Sequence, residues 1–486
     1  MMVETRVSRP LRWAAQVTAD DEAKLANYFQ KIRVVVRLDP AFERNTDARE
    51  TVFAAVNMLL RFCPGVAVAI GDVDTDLGGS CRDLARGILG SPDWVEIISP
   101  NSDLQDFDHV LTVGATPVAN ANCTVINSTG WVARVSPAGS NLTWTDGPSN
   151  VIGAIGAACV GVGVISMGLL RKPVPAIPIE MSLFDYAVGN PGDLDTGPAL
   201  PDRLVLDGLL IGSGGVANGW AYTVKRLPIE GRLEAVDRQS LEEENIGPYI
   251  LATIEGLGQP KANLIRDVLA PQISVTPRPE PVEFYKIRLD QGLVRLPRLV
   301  IAGLDDIAPR HFVQRLWPEV LIDMAAGGTT TQLIVHELGK DGICLLEALQ
   351  APHDQPDYAD QAAKETGLSA DRIRTNPTDP ITEADVAAAP PEFRSALDAA
   401  RQRGQLLCGR VTEHHLHEEG YSDDFAPAVP FVSALSGVAG AAATVRALMG
   451  VSEPLHYQFD FRSLKGRVLK LRADPQCDCS RPVADR

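Results

Sequence analysis

The sequence predicts an α/β protein made of two parallel-sheet halves, with a helical insertion in the second. Three observations carry this expectation. First, an apolar run from Leu204 to Ile211 leads into a glycine-rich turn, a helix-like segment through Leu227 and a second strand that ends in an acid, Asp237. Second, residues 151–170 and 428–449 are rich in Ala, Gly and Val, and each closes a region of alternating strand and helix patterns. Third, residues 350–424 turn charged, Ala-rich and proline-interrupted. Strands that alternate with helices favour parallel sheets. Repetition of the pattern reads as a diverged internal duplication, with two unrelated α/β domains as the alternative.

At 486 residues the chain has material for about three domains and large cores. An apolar content of 45% and a charged content of 22% describe a globular chain. A net charge of −17 argues against nucleic-acid binding, which needs a basic face, and permits a basic protein partner. Eight cysteines in this length are no disulfide framework, which points to a reducing, cytoplasmic setting. Residues 1–20 carry scattered Arg and Glu and no apolar core, so no export signal is read there. Val151 to Leu170 is uncharged and long enough to span a bilayer. Its small residues point instead to a buried helix at a close helix–helix contact.

Taken in order, residues 1–45 predict no defined element. An amphipathic helix is expected from Arg49 to Phe62 and a strand from Val66 to Ile70. A helix over Leu84–Leu89 and strands over Trp94–Ile98, Phe107–Val113 and Cys123–Ile126 follow. Residues 172–202 hold six prolines and several glycines and read as a linker. Beyond Asp237 a helix is expected from Lys261 to about Leu269. Strands are expected over Val282–Leu289, Leu299–Ala302, Val320–Met324, Thr331–Val335 and Gly342–Leu346. The divisions are therefore 1–171, 172–202, 203–349, 350–424 and 425–486.

The stretch Gly212-Ser213-Gly214-Gly215 sits where a strand meets a helix. Glycines there let backbone approach phosphates, and the helix N-terminus offers free N–H groups. Asp237 falls 22 residues after Gly215, close to the spacing at which such units place a ribose-binding acid. The absence of the usual third-glycine spacing disfavours a redox dinucleotide.

With Asn218, Asp237, Asn245, Lys261, Asp305 and Arg310 in order, residues 200–480 resemble the ThiF/MoeB superfamily, the adenylation domains of ubiquitin-activating enzymes. Ala428–Met449 and Tyr457-Gln458-Phe459-Asp460 are similar to that family's ending. The resemblance implies two Rossmann-like ThiF-type domains, one inactive (1–171) and one active, plus a helical catalytic-cysteine insertion. The two-domain layout is most similar to the activating enzymes of bacterial ubiquitin-like conjugation (Bil-type) operons, a setting of antiviral defence. It implies adenylation of a ubiquitin-like protein's C-terminus with ATP and Mg2+, thioester formation, and transfer to a conjugating enzyme. Gly212, Gly214 and Gly215 then line the phosphate loop, with Asn218 beside them. Asp237 binds ribose, Asn245 faces the nucleotide, Lys261 contacts the phosphates and Asp305 holds Mg2+. No nucleic-acid or membrane partner is implied; the oligomeric state is open between a homodimer and a pseudo-dimer within one chain.

Three departures stand out. Gln239 replaces an acid two residues after Asp237, Pro248 replaces an arginine three residues after Asn245, and the paired CxxC zinc motifs are missing, which disfavours structural zinc. Cys408 lies where the family's crossover segment places its nucleophile, and Arg410, His414 and His415 nearby favour a thiolate. Cys344 reads as a core residue. The alternatives are ThiF/MoeB-like activation of a sulfur carrier without a thioester, and a nucleotide-binding scaffold without catalysis.

Overall fold

The computed structural model describes residues 8–349 apart from 64, 72–74, 121 and 143–146; residues 363, 364, 366–375, 379–404 and 407; and residues 429–469, 471–473 and 477. The first half runs α1 (Ser8–Thr18), α2 (Glu22–Phe29), β1 (Val34–Leu38), α3 (Thr46–Leu60), β2 (Val66–Ala69), α4 (Thr75–Leu89), β3 (Val95–Ile98), β4 (His109–Val113), β5 (Cys123–Thr129), β6 (Val132–Ser136), α5 (Val151–Leu169), β7 (Ile179–Ser182) and β8 (Val188–Gly189). The second half begins β9 (Leu204–Ile211), α6 (Gly215–Val224), β10 (Ile229–Val236), α7 (Lys261–Leu269), β11 (Ile273–Arg278), α8 (Val282–Asp290), β12 (Leu299–Ala302), α9 (Ile307–Gln314), β13 (Val320–Gly327), β14 (Thr330–Glu337) and α10 (Leu345–Ala348). It continues with α11 (Ala370–Thr375), α12 (Glu383–Ala388) and α13 (Pro391–Gln402), and closes with α14 (Pro430–Leu448), β15 (Leu455–Asp460) and β16 (Lys465–Leu469).

Each half builds an eight-stranded mixed sheet, in the orders β3-β2-β1-β4-β5-β6-β7-β8 and β11-β10-β9-β12-β13-β14-β15-β16. The second order is the first with every strand advanced by eight. In both, the leading five strands are parallel and the rest antiparallel. The molecule is thus a pair of Rossmann-like α/β units.

Several expectations are corrected by the structure. The central strand of the first sheet, β1, lies in the region that predicted no element; Val34, Val35 and Val36 are fully buried, but Arg33 and Arg37 break up the apolar signal. Strand β6 escaped notice for a related reason. Its Arg134 is buried and paired with Glu180 on β7 at 2.5 Å, so a core strand carries a charge. The segment read as a linker, 172–202, contains β7 and β8 and extends the first sheet. Its Pro175 and Pro178 precede β7, a place where proline costs no ladder hydrogen bond. Val282–Leu289 is helical, not a strand. Pro281 stands at its N-cap with φ −61° and Lys286 pairs with Asp290 one turn on, while the strand is β11 just before. Gly342–Leu346 is a turn leading into α10, with Cys344 at the N-cap.

One apolar core runs through both halves, with Trp13, Phe62, Ile155 and Val162 from the first and Trp220, Phe431, Val438 and Phe461 from the second. Helices α5 and α14 both have the length and hydropathy of a membrane span, yet 89% of each apolar window is buried inside the fold. Their small residues permit the approach. A Cβ on Gly163 would stand 2.2 Å from Phe461 Cδ1, and one on Gly437 would stand 2.3 Å from the Trp220 backbone nitrogen. The described helices of the insertion enclose a small separate core of Leu368, Ile373, Ile381, Leu397, Ala400 and Leu407, resting on Phe284 of α8.

Candidate functional site

The C-terminal ends of β10, β9 and β12 lie side by side, and the strand order reverses between β9 and β12. That reversal leaves a crevice, the usual ligand position in an open α/β sheet. Gly212 opens the turn at φ +83°, and its N–H donates to Val236 O at 2.9 Å. A Cβ there would be 2.6 Å from Gly303 O, so both backbone conformation and space require glycine. Helix α6 begins at Gly215 with Gly214 as N-cap and no side-chain cap. Its first-turn N–H groups are therefore left for an outside acceptor.

Asp237 follows β10 and fixes the turn. Its Oδ2 accepts from Ser213 N at 2.6 Å and its Oδ1 from Gln239 N at 2.8 Å. Asn218 donates its amide to Ser213 O at 3.0 Å and Gly214 O at 2.9 Å, acting as a brace for the loop. Three buried oxygens beside the helix N-terminus have no partner among the described residues: Ser213 Oγ, Asn218 Oδ1 and Ser433 Oγ. Buried polar atoms are rarely left this way, so the cluster suits a polar ligand.

Lys261, the first residue of α7, is 4% exposed. Its Nζ donates to Gln239 Oε1 at 2.6 Å and to Tyr249 OH at 3.2 Å. Burial opposes its charge, but the Tyr249 hydroxyl and the Asp237 carboxylate outweigh it and raise the pKa. The ammonium therefore stays charged at neutral pH while bound only to neutral acceptors in these bonds, available to an anion. Asn245 is buried and accepts from Glu242 N at 2.9 Å, shaping the 242–245 turn. Asp305 is exposed just past β12, followed by Asp306 at the N-cap of α9. Asp305 and Asp306 are both exposed, and a donor set of one or two carboxylates suits Mg2+, which keeps most of its waters and otherwise binds phosphates. Arg310 turns elsewhere: it is buried against Asp323, with its Nε 3.1 Å from Oδ1.

Sequence reasoning missed three contributors. Tyr249, four residues after Asn245, carries the hydroxyl that meets Lys261. Arg9, on α1 of the first half, is ion-paired with Glu244 and its charge reaches Lys261. Arg61, at the end of α3, holds the loop that carries Tyr249. Nothing local in residues 1–62 signals that they reach another half's site. Cys408, Arg410, His414, His415 and Cys479 lie outside the described residues. Cys344 is buried as expected, but its Sγ is 3.5 Å from Cys477 Sγ, and Glu347 completes a group of ligand atoms within 4.8 Å of one another. That is three donors among the described residues, where tetrahedral zinc takes four.

No family model matches the sequence. An uncharacterised protein, y4jF of Sinorhizobium fredii, is 26% identical over 333 residues, which cover 65% of this chain and 60% of the relative's length. Among solved structures, E. coli MccB with SeMet MccA matches with a TM-score of 0.36 and 15% identity over 58% of this chain and 68% of that one. E. coli MccB with ATP gives 0.35 and 15% over 57% and 67%. PaaA gives 0.34 and 10% over 56% and 65%.

Proposed function

We propose that the chain is an ATP-dependent adenylating enzyme that activates a carboxylate at the C-terminus of a peptide or protein. The carrying observation is the convergence at one sheet edge of an uncapped helix N-terminus, a glycine turn braced by Asp237, and the buried, charged Lys261. Gly212, Gly214 and Gly215 let phosphates approach the backbone, and Asn218 and Asn245 hold the loops on either side. Asp237 keeps lone pairs for a ribose hydroxyl. Lys261 offsets charge that develops on the phosphates, where fixed donors act most strongly. Asp305 takes Mg2+, which supplies a further positive charge at the phosphates. A substrate carboxylate oxygen attacks the α-phosphorus and pyrophosphate leaves, giving an acyl-adenylate.

The finer reading has a ubiquitin-like protein as substrate. Cys408, as thiolate, attacks the acyl carbon, AMP leaves, and the thioester passes to a conjugating enzyme in the cytoplasm. The test is ATP–pyrophosphate exchange with a ubiquitin-like protein ending in glycine, followed by a non-reducing gel. Exchange is expected in wild type and should fall by about a hundredfold or more in Lys261→Ala or Asp305→Asn. A thiol-sensitive adduct lost in Cys408→Ser supports the thioester. Exchange without an adduct leaves the simpler activation reaction, and no exchange at all sinks the enzymatic reading.

A further inference from the structure

The first half reaches the nucleotide edge through a buried guanidinium. Arg61 is 1% exposed, and its partners are four oxygens. Its Nε donates to Asn57 Oδ1 at 2.9 Å, Nη1 to Ile246 O, and Nη2 to Ile250 O and Ala252 O, each at 3.0 Å. Asn57 adds a bond from Nδ2 to Ile250 O at 2.9 Å. The three carbonyls bracket Pro248 and Tyr249. Inside the bracket the backbone turns on itself, with Tyr249 N donating to Asn245 O at 3.0 Å and Ala252 N to Tyr249 O at 2.9 Å. The hydroxyl of Tyr249 then meets Lys261, and it stands 3.5 Å from where a Cβ on Gly214 would lie.

We infer that Arg61 is a positioning residue for the nucleotide site, holding the 246–252 segment so that Tyr249 is set between Lys261 and the glycine turn. A buried cation without a carboxylate among its hydrogen-bond partners costs desolvation, and only a planar fork with several donors satisfies three carbonyls from one side chain. Tyr249 accepts from Lys261 and so has its own proton free to donate toward the glycine turn. It stands next to Pro248, where the resembled family carries an arginine. The first half's part is thus to set a hydroxyl donor that this chain uses beside the lysine.

The inference rests on the nucleotide reading, and the experiment separates the two. Binding of a fluorescent ATP analogue and the melting temperature are measured for wild type, Arg61→Lys, Tyr249→Phe and the double variant. Lysine keeps the charge but not the fork. Each single change is expected to weaken binding by about tenfold, the scale of one charge-assisted hydrogen bond. The double variant should be little worse than Tyr249→Phe, because Arg61 acts through Tyr249. A lowered melting temperature with binding unchanged in Arg61→Lys overturns the inference, as do losses that simply multiply. Should Arg61→Lys fail to fold, Asn57→Ala removes one bond to the same loop and is read the same way. Wild type that binds no ATP overturns the nucleotide reading first, and this inference with it.

Discussion

The two halves share one strand order, yet their sheet edges are built differently. In the second half, β9 passes into α6 through a short glycine turn that leaves the helix N-terminus uncapped. In the first half, β1 reaches α3 through residues 39–45, and protein acids occupy that edge. Asp39 accepts from Ala41 N at 3.2 Å and packs so closely on Gly114 that a Cβ there would be 2.3 Å from its own. Glu43 lies over Gly71, just past β2. Asn45 caps α3, and Asp47 in its first turn accepts from Ser149 Oγ at 2.6 Å and Asn150 N at 3.0 Å. One edge sets the Lys261 ammonium and N–H groups beside Asp237 and Asp305; at the other, the carboxylates of Asp39, Glu43 and Asp47 stand at the turn and at the helix start. The two sheets therefore share a strand order while the groups at their C-terminal ends differ.

The largest expected effect tests that asymmetry directly. Titration with ATP should give one site per chain. Lys261→Ala should remove it, while Asp47→Asn leaves the stoichiometry and affinity unchanged. A second site would break the comparison. A smaller effect concerns the first half's structural charge. Glu180→Gln leaves Arg134 buried beside a neutral partner and should cost about 3 kcal/mol in urea unfolding. A loss under 1 kcal/mol would show that the pair is dispensable.

The smallest effect is a pH dependence. His109 lies buried beside Thr124, its Nε2 3.0 Å from Oγ1, and burial lowers its pKa from 6.5 to about 4. The folded value lies below the unfolded one, so the unfolded chain binds more protons across that window. Stability present at neutral pH is then lost as pH falls from about 6.5 toward 4, by about 2 kcal/mol at pH 5. His109→Gln should flatten the slope between pH 7 and pH 5; an unchanged slope would assign it to other groups.

Much of the second half was legible. The strand Leu204–Ile211 and the start of the helix at Lys261 are legible in place, because an apolar run bounded by glycine and a helix following Pro260 are local signals. The glycine turn and Asp237 were legible for the same reason. Less was legible where charge is buried. Strand β6 carries Arg134, and its partner Glu180 sits in a proline-rich segment, so hydropathy misread both. Local propensity also failed at 282–289, where apolar residues with strand-like composition wind into α8 after Pro281.

What the sequence alone determined is the α/β alternation, the glycine turn and its acid, and the two small-residue helices, since each depends on neighbours in the chain. What only the tertiary structure decided is which distant groups meet. Trp13 donates to Gly328 O at 2.8 Å, and Tyr222 and Arg226 both bind Glu50. Arg61 grips a loop 185 residues and more away. Hydrogen bonds of that span arise from how α5 and α14 bring the halves together, and periodicity within either half carries no trace of them.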